Sequence, residues 1–294
     1  MGASERGALL ALLRTSDRPW SQVTDEVETA GSALAVLRAG PLGQGDLLIS
    51  PDDPDALAEE SEAEIAGWES EGMRFITLLD SDYPAQLLTV HQRPPFLMVK
   101  GTLSRGDMRS VAVVGTRKAS EYGLQAANRL ACELARKGIP VVSGLAAGID
   151  TAALTGALSA HGRAVAVIGT GLRRNYPKEN AGLQKEMTKV GLVISQFLPD
   201  TPPTKKTFPM RNAVMSGYSC ATVVVEAPYV SGARMQARLA LEHGRRVFLL
   251  ESLMQNEWAQ DYASRPNTTV VRSVEDVSQH LDPTLLGKND LVRA

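Results

Sequence analysis

The feature that most constrains the fold is a regular alternation of two hydrophobic patterns after residue 109. Short continuous runs of β-branched residues alternate with longer amphipathic segments of helical period. Strands that are apolar at every position must be covered on both faces, which is typical of parallel sheets. The sequence therefore predicts an α/β fold: a Rossmann-like, doubly wound, mostly parallel sheet with helices on either side. The predicted strands are 110–115, 140–144, 163–169, 192–196, 221–226, 246–250 and 268–272, and the predicted helices are 122–137, 149–160, 180–189, 233–243 and 274–281.

A different pattern precedes this domain. Residues 5–40 carry apolar side chains at helical spacing, which predicts a small helical N-terminal module. Residues 51–80 hold ten Asp or Glu against one Arg, a charge balance that would repel phosphate. Short strands are expected at 73–79 and 96–101. We expect four parts: a helical module of the SAM or helix-hairpin-helix type over 1–70, a connecting segment with short strands over 71–108, the Rossmann-like domain over 109–282, and a C-terminal tail without a winged helix over 283–294.

Composition excludes several classes of protein. The formal net charge of the 294 residues is −2, so the chain is not a polycation that coats duplex DNA. No apolar run approaches the roughly 20 residues that span a bilayer, and no signal peptide is evident, so we expect a cytoplasmic protein without membrane contact. Cys132 and Cys220 fit no zinc motif and suit a reducing compartment, and the four histidines are scattered. We expect no bound metal.

Glycines follow three of the predicted strands, at Gly115-Thr116-Arg117, at Gly144 and Gly148, and at Gly169-Thr-Gly171. Ligands of open parallel sheets bind outside the carboxyl ends of the strands, where glycine allows close approach and helix N-termini offer free N–H groups. The pattern favours a phosphate-bearing ligand; the alternative is that the glycines only make tight turns. No Walker motif occurs, and Arg174 replaces the third glycine of a dinucleotide fingerprint. We therefore expect no nucleotide cofactor.

Basic residues concentrate in the second half of the chain. Between residues 161 and 246 there are thirteen Lys or Arg and five Asp or Glu, and the basic residues include Arg173, Lys205, Lys206 and Arg211. A basic groove binds backbone phosphates through counterion release. The alternative is a scatter of solvated surface charge.

The most specific local feature is the segment from Lys205 to Asn212, which we interpret as a loop held by Pro209. Within eight residues it carries two lysines, Phe208 and Arg211. An aromatic face can stack on an unpaired base while neighbouring cations hold phosphates, which is how single strands are bound without reading their sequence. Duplex DNA would hide those base faces. The alternative is that Phe208 anchors the loop in the core.

Enzymatic chemistry finds little support in the sequence. Asp150 and Glu226 lie near strand ends and could act as acid or base, although such carboxylates more often cap helices or hold an arginine. The zinc-protease and nucleophile-elbow motifs do not occur. We expect a non-enzymatic protein without catalytic residues. The alternative is a nucleotide-binding protein or a nucleoside-monophosphate phosphoribohydrolase, although the PGG-x-GT-x-x-E motif of those hydrolases is absent.

An ordered series of motifs resembles the DNA-processing protein A family (DprA/Smf) over roughly residues 5–250. The GSR loop of that family is similar to Gly115-Thr-Arg117, and its VSG-L-A-x-G-I-D block is similar to residues 142–150. Its G-x-G-x-x-x-x-YP, F-P-x-R-N and E-A-x-x-x-SG elements are similar to residues 169–177, 208–212 and 226–232.

The resemblance implies a homodimer that binds single-stranded DNA in a basic pocket, protects it, and helps to load RecA during DNA uptake, natural transformation or recombination. It also implies DNA contacts at Arg117, Lys205, Phe208 and Arg211. Together with the patterns above, the candidate nucleic-acid site comprises Gly115, Thr116, Arg117, Gly144, Gly169, Gly171, Arg173, Lys205, Lys206, Phe208, Arg211 and Asn212.

The chain departs from the family pattern at three places. Leu154 replaces a usual histidine, Ala213 replaces a frequent second arginine, and Leu250-Glu251-Ser252 replaces a proline-glycine turn. Loss of a cation at Ala213 is expected to weaken phosphate binding, and the altered C-terminal half changes the expected dimer and RecA contacts. A divergent member that acts in defence against foreign DNA is the alternative.

Overall fold

A computed structural model of the chain describes residues 4–40 and 53–281. The helices are α1 (Glu5–Thr15), α2 (Trp20–Ala30), α3 (Ala33–Ala39), α4 (Pro54–Ser70), α5 (Ala85–Leu88), α6 (Glu121–Arg136), α7 (Ile149–Ser159), α8 (Ala181–Val190), α9 (Thr207–Tyr218), α10 (Gly232–Glu242), α11 (Glu257–Ala263) and α12 (Val274–His280). The strands are β1 (Arg74–Thr77), β2 (Phe96–Gly101), β3 (Val111–Val114), β4 (Val141–Ser143), β5 (Ala164–Val167), β6 (Leu192–Ser195), β7 (Ala221–Val224), β8 (Arg246–Leu250) and β9 (Thr268–Val271). The expected tail over 283–294 lies outside the described residues.

All nine strands form one sheet in the order β1-β2-β6-β5-β4-β3-β7-β8-β9. The seven strands from β6 to β9 along this order are parallel to one another. The chain moves outward from β3 through β4, β5 and β6, and then returns to β7 on the other side of β3. The strand order therefore reverses between β3 and β7, and the predicted doubly wound α/β fold is confirmed.

The core lies on both faces of the central strands. Every residue of β3, β5, β6 and β7 is buried, which is why these strands read as continuous apolar runs. Several of the helices that cover the sheet begin with a serine N-cap. Ser120, for example, accepts a hydrogen bond from the Gly123 N–H at the start of α6, and Ser231 accepts one from the Arg234 N–H at the start of α10.

The segment expected to connect two domains contributes to the sheet. Strand β2 pairs antiparallel with β6, with Val99 opposite Ile194, and β1 pairs antiparallel with β2. The strands predicted in residues 71–108 are present, but the expected boundary near residue 109 does not separate two sheets. The division of the chain into domains stays a proposal.

The sequence predicts a loop from Lys205 to Asn212, but only the two lysines of this segment lie in a turn; the prediction is wrong from Thr207 onward. Helix α9 begins at Thr207 and carries Phe208, Pro209, Arg211 and Asn212 in its first two turns. Proline is compatible with the first turn of a helix because the N–H groups there have no partner within the helix. The structure also adds α11, for which the sequence carries no clear signal.

Helices α1 to α4 form the N-terminal part of the described chain, and α1 packs against α4. Four acidic residues of α4 are paired with arginines: Glu62 and Glu69 with Arg6, Glu64 with Arg14, and Asp55 with Arg38. Charge repulsion along this helix is thereby reduced within the module itself. In the described ranges we find no helix that combines the length and the apolar character needed to cross a bilayer.

Candidate nucleic-acid interface

The loop that follows β3 lies at the point where the strand order reverses. The Thr116 N–H donates to the Glu226 carbonyl oxygen at 2.7 Å, and the Thr116 carbonyl accepts from the Ile149 N–H at 3.3 Å. Gly148 has a positive φ of 79°, and a Cβ there would lie 2.5 Å from the Thr116 carbonyl oxygen. Only glycine allows α7 to begin so close to this loop. The loop is therefore held on two sides, and it presents the exposed side chain of Arg117.

Arg117 and Phe208 form a cation–π pair across the sheet edge. The guanidinium carbon of Arg117 lies 5.0 Å from the centroid of the Phe208 ring. Phe208 is half-buried and not sealed in the core. The ring of Tyr176, which is 40% exposed, lies 5.6 Å from the Phe208 ring between centroids. Two aromatic rings and one cation are thus grouped at the surface, an arrangement suited to an unpaired base and its phosphate.

Arg211 lies beneath this group and is only 6% exposed. Its Nη1 donates to the Val167 carbonyl at 3.1 Å and lies 3.9 Å from Oδ2 of Asp150. Burial lowers the pKa of Arg211 and raises the pKa of Asp150, and each charge opposes the shift of the other. Only Nη1 of the three guanidinium nitrogens has a hydrogen-bond partner among the described residues. Arg211 therefore supplies a positive charge from below the surface.

The predicted glycines are explained mainly by packing within the chain. A Cβ on Gly144 would lie 1.3 Å from Nη1 of Arg211, and a Cβ on Gly169 would lie 2.9 Å from the Phe208 ring. A Cβ on Gly171 would lie 2.2 Å from the Leu198 carbonyl oxygen, and one on Gly115 would lie 2.3 Å from the Ile149 side chain. Gly144 and Gly169 therefore make room for side chains of the site, and Gly115 and Gly171 allow close packing of the neighbouring chain.

Two neighbouring cavities share Arg117, Phe208 and Arg211. One of about 150 Å³ also contacts Gly144, Gly169 and Tyr176. The other, of about 280 Å³, extends from Gly115 and Thr116 to the start of α10. The site is therefore a cleft with two compartments on either side of the Arg117–Phe208 pair.

The other predicted cations divide into two groups. Lys205 and Lys206 are exposed just before α9, and neither forms an ion pair with a carboxylate in the described parts of the chain. Arg173 forms ion pairs with Glu71 and Asp200, both at 2.5 Å, and lines neither cavity. Its charge is therefore largely compensated, and the structure does not place it with Arg117, Phe208 and Arg211.

Asn212 is buried, and its Nδ2 donates to the Gly232 carbonyl at 3.3 Å. This contact ties α9 to the start of α10, and Asn212 lines the larger cavity. Among the departures from the family pattern, Leu154 is fully buried in the core, and Ala213 is only 5% exposed. The apolar character of both positions is accounted for by packing.

The two carboxylates considered for acid–base chemistry are both engaged. Oδ2 of Asp150 accepts from the backbone N–H groups of Gly144 at 3.1 Å and Ala146 at 3.4 Å, in addition to facing Arg211. Glu226 accepts from the backbone N–H and the hydroxyl of Ser120, the hydroxyl at 2.7 Å. Over residues 4–40 and 53–281, no group of His, Cys, Asp and Glu side chains is arranged to hold a metal ion. Asp150 thus holds the turn after β4, and Glu226 holds Ser120 at the start of α6.

Tyr176 is the site residue that the sequence interpretation misses. It belongs to the tyrosine-proline element over residues 169–177, but that motif alone does not assign it to the site. The sequence feature that could have identified Tyr176 is an aromatic residue next to a proline, in the glycine-containing segment that follows a predicted strand.

The fold and this cleft define a Rossmann-like α/β protein with a cationic and aromatic site at its topological switch point. The family model described as DNA recombination-mediator protein A matches residues 74–282. The chain therefore belongs to the DNA recombination-mediator protein A family, DprA/Smf, and the resemblance stated from its motifs is confirmed.

Relatives and solved structures agree with this assignment. The chain is 35% identical to the DNA processing protein DprA of Bacillus subtilis over 222 residues, covering 74% of each protein. It is 38% identical to the protein Smf of Escherichia coli over 203 residues, which cover 68% of this chain and 54% of that protein. The X-ray structure of DprA from Streptococcus pneumoniae superimposes with a TM-score of 0.76 at 28% identity, covering 94% of this chain and 98% of that one. DprA from Helicobacter pylori, whose structure is described for its single-stranded DNA binding mode, superimposes with a TM-score of 0.62 at 26% identity, covering 70% and 94%.

Proposed function

We propose that this protein binds single-stranded DNA in the cleft around Arg117 and Phe208. The observation that carries the proposal is the Arg117 guanidinium 5.0 Å from the Phe208 ring, at the edge of the sheet where ligands of this fold bind. Phe208 and Tyr176 offer aromatic faces for bases. Arg117 and Lys205 offer exposed cations for phosphates, and the buried charge of Arg211 adds to the positive potential.

The single-stranded form of the ligand follows from the geometry of the rings. A base can reach Phe208 only if its own face is not stacked on a neighbour, and a paired duplex does not meet that condition. The single-strand binding mode described for the Helicobacter pylori protein supports the same ligand class. The overall charge of −2 favours a local cleft over a surface that coats duplex.

Fluorescence anisotropy tests this proposal directly. Labelled oligo-dT and a duplex of equal length are titrated with the protein over a series of salt concentrations. We expect tight binding of the single strand and weak binding of the duplex. The Lys205→Ala and Arg117→Ala variants each lose a phosphate contact, so the slope of log K against log salt should decrease by about 0.7 for each.

Matched controls come from the opposite edge of the sheet. Lys189 lies in the last turn of α8, just before β6, and Arg136 lies in the last turn of α6. Lys189→Ala and Arg136→Ala remove the same charges far from the cleft and should leave the affinity and the salt slope unchanged. Equal effects of all four substitutions, or equal affinity for duplex and single strand, would reject the cleft as the binding site.

We further propose that the bound strand is protected and passed to RecA by a homodimer of this protein, during DNA uptake, natural transformation or recombination. The family description, DNA recombination-mediator protein A, supports this role. The test is RecA filament formation on single-stranded DNA in the presence of a single-strand-binding competitor. This protein should shorten the lag, and Arg117→Ala should not. Light scattering coupled to gel filtration measures the mass of the protein in solution and so tests whether it is a dimer.

A further inference from the structure

The loop between β7 and α10 carries two exposed side chains, of which Val230 lines the larger compartment of the cleft and Tyr229 does not. Tyr229 is 63% exposed and Val230 is 88% exposed. Adjacent exposed apolar side chains beside polar ones are one feature of interaction surfaces. The loop follows β7, so it lies at the same edge of the sheet as Arg117.

The ring of Tyr229 is held in place by a cation. The guanidinium carbon of Arg234 lies 4.2 Å from the centroid of the Tyr229 ring, and Nη1 of Arg234 donates to the Tyr229 carbonyl oxygen at 3.2 Å. Arg234 sits in the first turn of α10, whose start is capped by Ser231. Among the described residues, Arg234 has no carboxylate partner, so its positive charge remains available. Tyr229 and Arg234 thus repeat the combination seen in Phe208 and Arg117.

A cavity extends from the first pair to the chain neighbours of Tyr229. The compartment of about 280 Å³ is lined by Arg117 and Phe208 at one end and by Pro228, Val230 and Ser231 at the other. The neighbouring ring of Tyr262, which is only 3% exposed, is also contacted by an arginine, Arg265, whose guanidinium carbon lies 4.0 Å from the ring centroid. Arg265, however, is paired with Asp261 at 2.6 Å, so its charge is compensated. Of the two arginines Arg234 and Arg265, Arg234 keeps a charge without a carboxylate partner among the described residues, so it is the one that can contact a phosphate beyond the cavity.

We propose that Tyr229 and Arg234 form a second contact for the same single strand, a subsite for one unpaired base and its adjoining phosphate. The inference depends on the proposed function, because the strand reaches this subsite from Arg117 and Phe208 through the cavity that ends at Val230 and Ser231, beside Tyr229 in the chain. A single strand is the occupant favoured by the structure, since an exposed ring beside an unpaired cation fits base stacking and phosphate contact together.

A length series tests the second subsite. Anisotropy is measured with oligo-dT of about 4 to 16 nucleotides, the usual range of single-strand site sizes. Tyr229→Ala should leave the binding of the shortest oligonucleotides unchanged and weaken the binding of the longer ones by roughly fivefold or more. Tyr229→Phe keeps the ring and should restore the affinity. Arg234→Gln should weaken the binding of the longer oligonucleotides and reduce the salt dependence of their affinity.

Tyr122 provides the matched control. It is 60% exposed, close to the value for Tyr229, but it lines a separate groove with Leu250 and Arg272. Tyr122→Ala should not alter binding at any length. If Tyr229→Ala matches the unmodified protein at every length while Arg117→Ala loses affinity, the second subsite is rejected and the proposed function stands. If the unmodified protein fails to bind oligo-dT at all, both are rejected.

Discussion

Arg211 and Asp150 face each other across the base of the cleft, with Nη1 and Oδ2 3.9 Å apart and both side chains buried. At this separation the pair is an electrostatic contact and not a direct hydrogen bond. Asp150 is held by two backbone N–H groups from the turn after β4, while Arg211 extends from α9. The pair therefore links the turn after β4 to the helix that carries Phe208.

Removal of the carboxylate charge should destabilise the protein. Asp150→Asn leaves the Arg211 cation buried without a counter-charge, and breaking a buried pair in this way costs about 3–5 kcal/mol. Urea denaturation of the variant and of the unmodified protein measures the difference in free energy of unfolding. The double variant Asp150→Asn, Arg211→Met removes both charges and should recover most of the loss. A double variant no more stable than Asp150→Asn would show that the ion pair is not the cause.

Phe208 should contribute to DNA affinity through its ring. Phe208→Ala removes the stacking surface beside Arg117 and should weaken binding of oligo-dT by about 1–3 kcal/mol. Phe208→Leu keeps much of the apolar volume but has no aromatic face, so it should lose nearly as much. Anisotropy titrations compare these variants, and thermal melting confirms that they are folded. Full affinity in Phe208→Leu would mean that the side chain only fills space.

Gly144 should tolerate no larger side chain. A Cβ at this position would lie 1.3 Å from Nη1 of Arg211, so Gly144→Ala must displace a buried cation. We expect a loss of about 1–3 kcal/mol in stability, as for other overpacked cores, together with weaker DNA binding.

Gly182 provides the comparison for that substitution. It lies in α8, and a Cβ added there would have nothing within 4 Å, so Gly182→Ala should raise stability by about 0.5–1 kcal/mol. Thermal unfolding of the two variants should therefore shift in opposite directions. A shift in the same direction would contradict the close packing around Arg211.

His243 should make the stability of the protein depend on pH. Burial, with the nearby charges of His91 and Arg245, lowers the pKa of His243 to about 4. Its Nδ1 lies 3.0 Å from the Ser216 hydroxyl, and its Nε2 lies 2.8 Å from Oε1 of Gln92. In the unfolded chain this histidine takes up a proton near pH 6.5. Protonation therefore favours unfolding, and the stability contributed above pH 6.5 is lost as the pH falls towards 4.

The size of this loss should be about 1–2 kcal/mol, because the partial exposure of His243 reduces the effect of burial. Urea denaturation at a series of pH values measures it. His243→Gln should flatten this part of the profile. An unchanged profile in His243→Gln would assign the pH dependence to other groups.

The Rossmann-like sheet could be predicted from the sequence because its strands have a local signal. Continuous β-branched runs, such as that of β7, must be covered on both faces, and this requirement is visible in the composition of each strand. The pairing of β2 with β6 was not predicted, because nothing local in Phe96–Gly101 indicates a partner so distant along the chain.

The site was predicted in part for similar reasons. The glycines and cations at strand ends led us to group Arg117 with Phe208, and the guanidinium carbon of Arg117 lies 5.0 Å from the Phe208 ring centroid; their contact with DNA stays a prediction. The helical form of α9 was hidden by Pro209 and by two lysines, which are also common in loops. The burial of Arg211 could not be read from sequence, because arginine is normally exposed and the compensating Asp150 belongs to a different helix.

The antiparallel pairing of β2 with β6 has a consequence for shorter versions of the protein. A fragment that starts at residue 109 would leave the backbone N–H and C=O groups along one side of Leu192–Ser195 without partners. Bare strand edges of this kind recruit strands from other molecules. Such a fragment should aggregate on purification, and one that starts upstream of β1 should remain dispersed.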